Sequence, residues 1–347
     1  MSIFDLIKAP ELTAYWEEHS QHLPPYLGEE LFPADKKLGL KLDWIKGANG
    51  LPVVLKPSAF DVGAVPRARI GFDKLSTQMP FFKESAYIDE EMRQELNMVL
   101  ETRNQAYIDA ITRRVFDDET RLLAGARARR EEMRMMALTT GSIAITANGQ
   151  NYNYDYGMPE THKVNAKTGW ADLENADPIE DLRAWMDLAE ADTGIRPTRG
   201  VCSRQTWGYL RNNKKIIKSL FVLSNGQVGA ISDARLTQYL LDELGLELLV
   251  YSKQYKNDAG AATKFVPDDT VSLFPVGQLG KTWFGTTPEE SDLMGNKVAN
   301  VAITDLGVAV TTIEKADPVN VETKVTMICL PSFEAADSVI IADVSAA

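Results

Sequence analysis

Apolar positions keep helical spacing over only part of this chain. From Asp89 onward Met92, Leu96, Val99, Leu100, Ile108 and Ile111 recur at that spacing, behind Asp89, Glu90 and Glu91, where an N-cap and an acidic first turn belong. A second helix is expected over about 117–139, in "DDETRLLAGARARREEMRMMALTTG". Its stripe is narrow: Val115, Leu122, Ala126, Met133, Met136 and Ala137. Asp117, Asp118 and Glu119 at its start, with Arg127, Arg129, Arg130 and Arg134 toward its end, match the helix dipole. Arg127 and Glu131 read as an i,i+4 pair on a solvated face, and Gly141 as the stop. Roughly 21 residues make a rod of about 30 Å.

Before residue 89 the pattern dissolves. In residues 1 to about 50, Pro24 and Pro25 break a short helical stretch. The isolated apolar residues Tyr26, Leu27, Leu31 and Phe32 then suit a segment laid over a neighbouring surface. Residues 50 to 88 read as strand and turn, with Pro52, Pro57, Pro66 and Pro80 arguing against a central strand. The expectation is an extended two-stranded projection that cannot fold alone.

Beyond Gly141, "SIAITANGQNYNYDYG" alternates across Asn148-Gly149, a strong hairpin signal. Asp177-Pro178 opens a helix that Gly194 closes, "GVCS" reads as a short buried strand, and "RQTWGYLRNNKKIIKSL" as helical. A helix beginning at Ser232 or Asp233 follows, then strand, turn and strand through Pro275, and two strand-like runs, "VETKVTMICLP" and "DSVIIADV". Helices and strands mix without βαβ alternation, so the fold class is α+β. Residues 180 to 285 look like one lobe. The long helix and the last strands look like another.

Composition changes the picture by what it excludes. With 44% apolar and 25% charged residues in 347 positions, a substantial core is expected without a metal or disulfide. Cys202 and Cys329 read as buried fillers. The N-terminal residues lack a signal-peptide pattern, and no membrane span is expected. The formal charge of -12 disfavours a nucleic-acid-gripping surface.

Candidate chemistry is sparse. His19 and His22 are spaced to share a metal but have no third ligand nearby, so both read as solvated, and no metal site is assigned. His162 could serve a hydrolase as general base, yet no nucleophile motif accompanies it, and a polar surface histidine is the better reading. "GKT" at 280 to 282 lacks the glycine a phosphate loop needs, that position being Pro275. The arginine cluster 127 to 134 reads as a solvated face. No cofactor and no catalytic residue is expected.

One ordered set of segments resembles a known family. "YLGEELFP" at 26 to 33, "GLPVVLKPSAFDVGAVPRARIGF", "MPFFKES", "RMMALTTGSIAITANG", "DYGMP" at 155 to 159, "VYSKQYKNDAGAATKFVPDD" at 250 to 269 and "TMICLPSFEAADSVIIADV" are similar to tailed-phage major capsid proteins of the lambda-type branch, the phage major capsid protein E family. The resemblance implies a Hong Kong 97-type fold. Residues 1–38 would be an N-terminal arm and 39–88 an extended loop overlapping an adjacent subunit. Residues 89–177 and 311–347 would form a peripheral domain with the spine helix, and 178–310 an axial domain. It also implies hexamers and pentamers in an icosahedral shell around double-stranded DNA, with a scaffolding protein, a maturation protease and a portal as partners, and room for a decoration protein. The virion would be its location and the bacterial cytoplasm its place of assembly. Phe32, Phe60, Phe72, Phe81 and Phe82 are the apolar candidates for inter-subunit contact, Arg67 and Arg69 the ionic ones. Lys56, Lys74 and Lys83 are available to an isopeptide staple, but none is expected in this branch. An encapsulin-like nanocompartment subunit is the alternative within the fold, and a cytosolic hydrolase using His162 the alternative outside it.

Overall fold

A computed structural model describes residues 8–46, 73–88, 105–221, 231–257, 259–295, 299–316 and 319–345, with 90, 93–95 and 98 in addition. The chain divides into two compact units, one of 1–43, 76–133 and 281–332, the other of 44–75, 134–280 and 333–347.

The first unit is built on the strand Val319–Pro331. Its residues are buried almost without interruption from Val325 onward, as a strand flanked on both sides requires. Val308–Ala316 pairs along one side and Phe81–Ile88 along the other, both antiparallel. Thr282–Phe284 pairs with its last residues and carries Ala34–Lys36 in parallel. Asn300–Thr304 extends the sheet beyond Val308–Ala316 through a tight turn with Asp305 and Leu306 at φ 48° and 67°. Gly307 follows because a Cβ there would lie 2.6 Å from the Phe284 Cβ. The helix Ala9–Ser20, started by Pro10, buries Leu12 and Trp16 and packs on the two outer strands. The arm, expected to lie over a neighbour, is therefore packed on its own chain over these residues.

The strand Phe81–Ile88 also departs from expectation, because it joins the central sheet instead of projecting. Lys41–Lys46 and Asp73–Gln78 do form a separate two-stranded sheet. Residues 47–72, where most of the expected projection falls, lie outside the described residues.

The long helix is one element, Gln105–Thr140, rather than a start at 117. Asp117–Glu119 therefore sit inside it, and Gly141, at φ 73°, ends it. Its expected solvated arginine face is a second correction. Arg130, Glu131, Glu132 and Arg134 are all buried. Arg127 donates from Nε and Nη2 to both Glu29 oxygens at 2.8 and 2.9 Å, and not to Glu131. Glu131 accepts from the Gly28 amide at 3.1 Å. Arg130 reaches Asp305 at 2.6 Å and stacks on Phe284. The short helix Leu27–Leu31 brings carboxylate and amide partners to this face, so the charges are neutralised in place instead of facing water.

In the second unit a five-stranded sheet runs Lys163–Asn165, Ile340–Asp343, Thr270–Phe274, Arg199–Cys202, Glu247–Val250. Gly200 sits where the sheet meets its core, since a Cβ would stand 2.9 Å from Leu273 Cδ2 and 3.0 Å from Leu248 Cδ1. Helices Pro178–Thr193, Arg204–Asn212, Lys214–Leu220 and Asp233–Leu244 pack their apolar faces around Trp170, Trp185, Trp207 and Leu240. Asp177, Ser203, Asn213 and Ser232 cap them with side-chain oxygens, Asn213 breaking what the sequence presents as one helix into two. The hairpin Ser142–Ala147/Gln150–Asp155 turns at Asn148 (φ 52°) and Gly149 (φ 73°), as the sequence predicts. Ile340–Asp343 pairs with Thr270–Phe274, while Thr282–Phe284 and Val308–Ala316 pair with Val319–Pro331, and Asn300–Thr304 with Val308–Ala316.

Candidate assembly surface

The predicted contact residues separate into three groups. Phe32 is wholly buried in its own chain, its carbonyl accepting from Thr282 at 2.9 Å. It is core, and its place among the inter-subunit candidates is corrected accordingly. Phe81 and Phe82 lie on Phe81–Ile88, the first 39% exposed and the second half-buried. Phe60, Arg67, Arg69, Phe72 and Lys56 fall outside the described residues, while Lys74 lies on Asp73–Gln78 and Lys83 is exposed.

Other apolar residues at the surface were missed. Leu38, 85% exposed, and Leu40 flank Gly39, which turns at φ 90°. Val276 is 75% exposed beside Gly277, and Leu306 tips the 305–306 turn. The available signal was a large apolar residue inside a glycine or proline turn, where no core can claim it.

Ionic groups brace the first unit from within. Lys324 meets Glu289 at 2.7 Å with both side chains largely buried, and Thr326 donates to Glu289 at 3.0 Å. Burial raises the Glu289 pKa, but these donors outweigh it and hold the carboxyl below its usual value. Lys36 pairs with Glu290, and Lys281 with Asp35 at 2.7 Å. Lys281 also lies over the Trp283 ring, so the "GKT" lysine is engaged in bracing.

The catalytic alternatives find no constellation among the described residues. His162 is 1% exposed, which corrects the surface reading; its Nε2 lies 3.1 Å from Asp192. Ser203 donates to Asp268 at 2.6 Å, and Lys264 reaches the same carboxylate at 2.7 Å. Ser203 is fully buried and caps Arg204–Asn212. His19 and His22 are exposed, and no group of three metal-binding side chains occurs among the described residues. Cys202 and Cys329 are buried thiols, and burial pushes Cys202 up to about 12. No helix among the described residues is long and apolar enough to cross a membrane.

A long helix, a broad antiparallel sheet fed by distant segments, and a second α/β unit form a Hong Kong 97-type fold, the architecture of viral head shells. The prophage capsid protein of Escherichia coli CFT073 matches it with a TM-score of 0.60 at 18% identity, over 97% of this chain and 99% of that one. A phage-related protein from Bordetella bronchiseptica RB50 matches at 0.56 and 13%, over 97% of each chain. The capsid of cyanophage A-1(L) matches at 0.50 and 11%, over 91% of each. Among proteins of curated function, none matches. The chain belongs to the phage major capsid protein E family, whose model matches residues 8–344. It is a phage capsid shell protein of the virion, with a structural role.

Proposed function

We propose that copies of this chain assemble into the hexamers and pentamers of an icosahedral head enclosing double-stranded DNA. The match to the capsid family across residues 8–344 carries this reading. Assembly takes place in the bacterial cytoplasm on a separate scaffolding protein, with a portal at one vertex and a maturation protease. The outer surface leaves room for a decoration protein. Gln105–Thr140 acts as the spine of the wall, and the helices between 178 and 244 with the strands Arg199–Cys202, Glu247–Val250 and Thr270–Phe274 form the core of the axial part, expected over 178–310. Phe81 and Phe82, with Phe60, Arg67, Arg69 and Phe72 of the loop, contact neighbouring subunits. The net charge of -12 keeps packaged DNA from adhering to the wall. Negative-stain microscopy of the expressed chain tests the reading: closed shells are expected, and a protein that remains monomeric at high concentration with its scaffold present refutes it.

A further inference from the structure

Segments far apart in the sequence meet at Gly285. A Cβ there would lie 2.7 Å from the Gly39 carbonyl oxygen, 2.8 Å from Ile328 Cγ2 and 2.9 Å from Met79 Cε. The Met79 amide donates to the Leu40 carbonyl at 2.9 Å, and the Lys37 amide to the Phe284 carbonyl at 2.8 Å. These contacts hold the turn at 38–40 down against the sheet beside Ile328. Phe81 stands opposite Ile328 in the register of its strand, and residues directly opposite share a face. Leu38, Leu40 and Phe81 are thus gathered at one place on one face, and all three belong to the first unit.

A single exposed apolar side chain is ordinary, but a group of three is not. Leu38 is the most exposed large apolar residue among those described, and Leu40 and Phe81 beside it are also exposed. The fold does not need leucines there. Gly39 makes the turn at φ 90°, and polar residues on either side of it would leave the path of the chain unchanged.

The surround of this patch is basic. Lys41 follows Leu40, and Lys83, two positions along the strand from Phe81, projects from the same face. Both are exposed, and neither has an ion-pair partner among the described residues, whereas Lys36 and Lys281 are already paired with Glu290 and Asp35. An apolar centre with a charged rim is the anatomy of a protein contact. Its positive sign selects the occupant. The chain carries -12, so a copy of itself presents an acidic surface, and a shell supplies such copies at close quarters. Duplex DNA would meet the lysines with its phosphates but leave the leucines uncovered.

We infer that the Leu38–Leu40 turn, with Phe81 at its side and Lys41 and Lys83 at its rim, is buried against a second copy of this chain in the shell. This contact extends the proposed assembly reading, on which it rests, from Phe81 to the turn.

A photoreactive side chain, Leu38→benzoylphenylalanine in the full-length chain, reports the occupant directly. Particles assembled from equal amounts of ordinary and heavy-isotope chains are irradiated, and the cross-linked peptides are read by mass spectrometry. Cross-links joining an ordinary to a heavy peptide are expected. L38S/L40S changes two exposed positions and should melt with the unaltered chain. It should nevertheless show roughly tenfold or greater loss of assembled particles, because burying leucine side chains contributes on that order. K41E/K83E should also assemble less well, and its residual assembly should lose most of its sensitivity to salt. Cross-links confined to one chain, to DNA or to a different protein would overturn the inference, as would normal assembly by L38S/L40S, while shells of the unaltered chain uphold the function. An unaltered chain that forms no oligomer refutes the shell function itself, and this contact with it.

Discussion

Glu119 should make the stability of the first unit depend on pH in an unusual direction. It lies inside the long helix, 4% exposed, against Thr323 of the central strand. Burial is the main cause that pushes its pKa from 4.5 up to about 7. The nearby Thr323 hydroxyl opposes the rise, and the like charge of Asp118 adds to it. Between those two values the folded chain keeps a proton that the unfolded chain has released. Stability therefore falls as pH rises through that window, and the full penalty applies above about 7. A rise of this size corresponds to about 3 kcal/mol at 1.36 kcal/mol per unit. Glu119→Gln keeps the shape but removes the charge. It should stabilise the unit by about 3 kcal/mol at pH 8 and change little at pH 4. Urea unfolding from pH 4 to 8, followed through fluorotryptophan resonances of Trp16 and Trp283 in this unit, measures it. An E119Q midpoint equal to that of the unaltered chain at pH 8 would refute the reasoning.

Three further perturbations give separate readings. Arg127→Ala removes a two-pronged pair to Glu29 and a cation stacked 4.9 Å from the Tyr26 ring centre. It should cost about 2–3 kcal/mol, with Arg127→Lys recovering only part because an ammonium cannot span both oxygens; an unchanged melting temperature would count against the pairing. Gly200→Ala forces a Cβ to 2.9 Å from Leu273 Cδ2 and 3.1 Å from the Ser272 carbonyl, and should lower the stability of the second unit by about 1–3 kcal/mol in urea titrations. A neutral result would mean that the sheet shifts freely. Cys202, whose thiol burial pushes to about 12, and the equally buried Cys329 should resist a disulfide reagent at pH 8 and react fully in guanidinium. Rapid labelling of the folded chain would contradict their burial.

Local chemistry accounts for what the sequence reveals. Asn148-Gly149, Asp177-Pro178 and Gly194 each specify their geometry within a few residues, so the hairpin and the capped helix can be read directly. The strands between 282 and 316 escape because their register comes from pairing with Val319–Pro331 and its neighbours, not from their own spacing. The arginine face of the long helix misleads for a related reason. Nothing in 117–141 announces that Glu29, about 100 positions earlier, will meet Arg127, or that Asp305 will meet Arg130. His162 illustrates the same limit, since its burial is set by the surrounding fold and not by adjacent residues. Of the contact candidates, Phe32 stands among isolated apolar residues whose spacing suits a segment laid over a neighbour, whereas distant parts of its own chain bury it completely.

The pairing of Phe81–Ile88 with Val321–Ile328 joins residues about 240 positions apart. At a synthesis rate of ~5–20 residues per second, the earlier strand waits roughly 10–50 s on the ribosome before its partner exists. During that interval its hydrogen-bonding edge is open to any other nascent chain, so productive folding calls for chaperone shielding and slow translation is a hazard. Infected cells that make this polypeptide in bulk would then lose product to aggregation in proportion to how long that edge goes unmet.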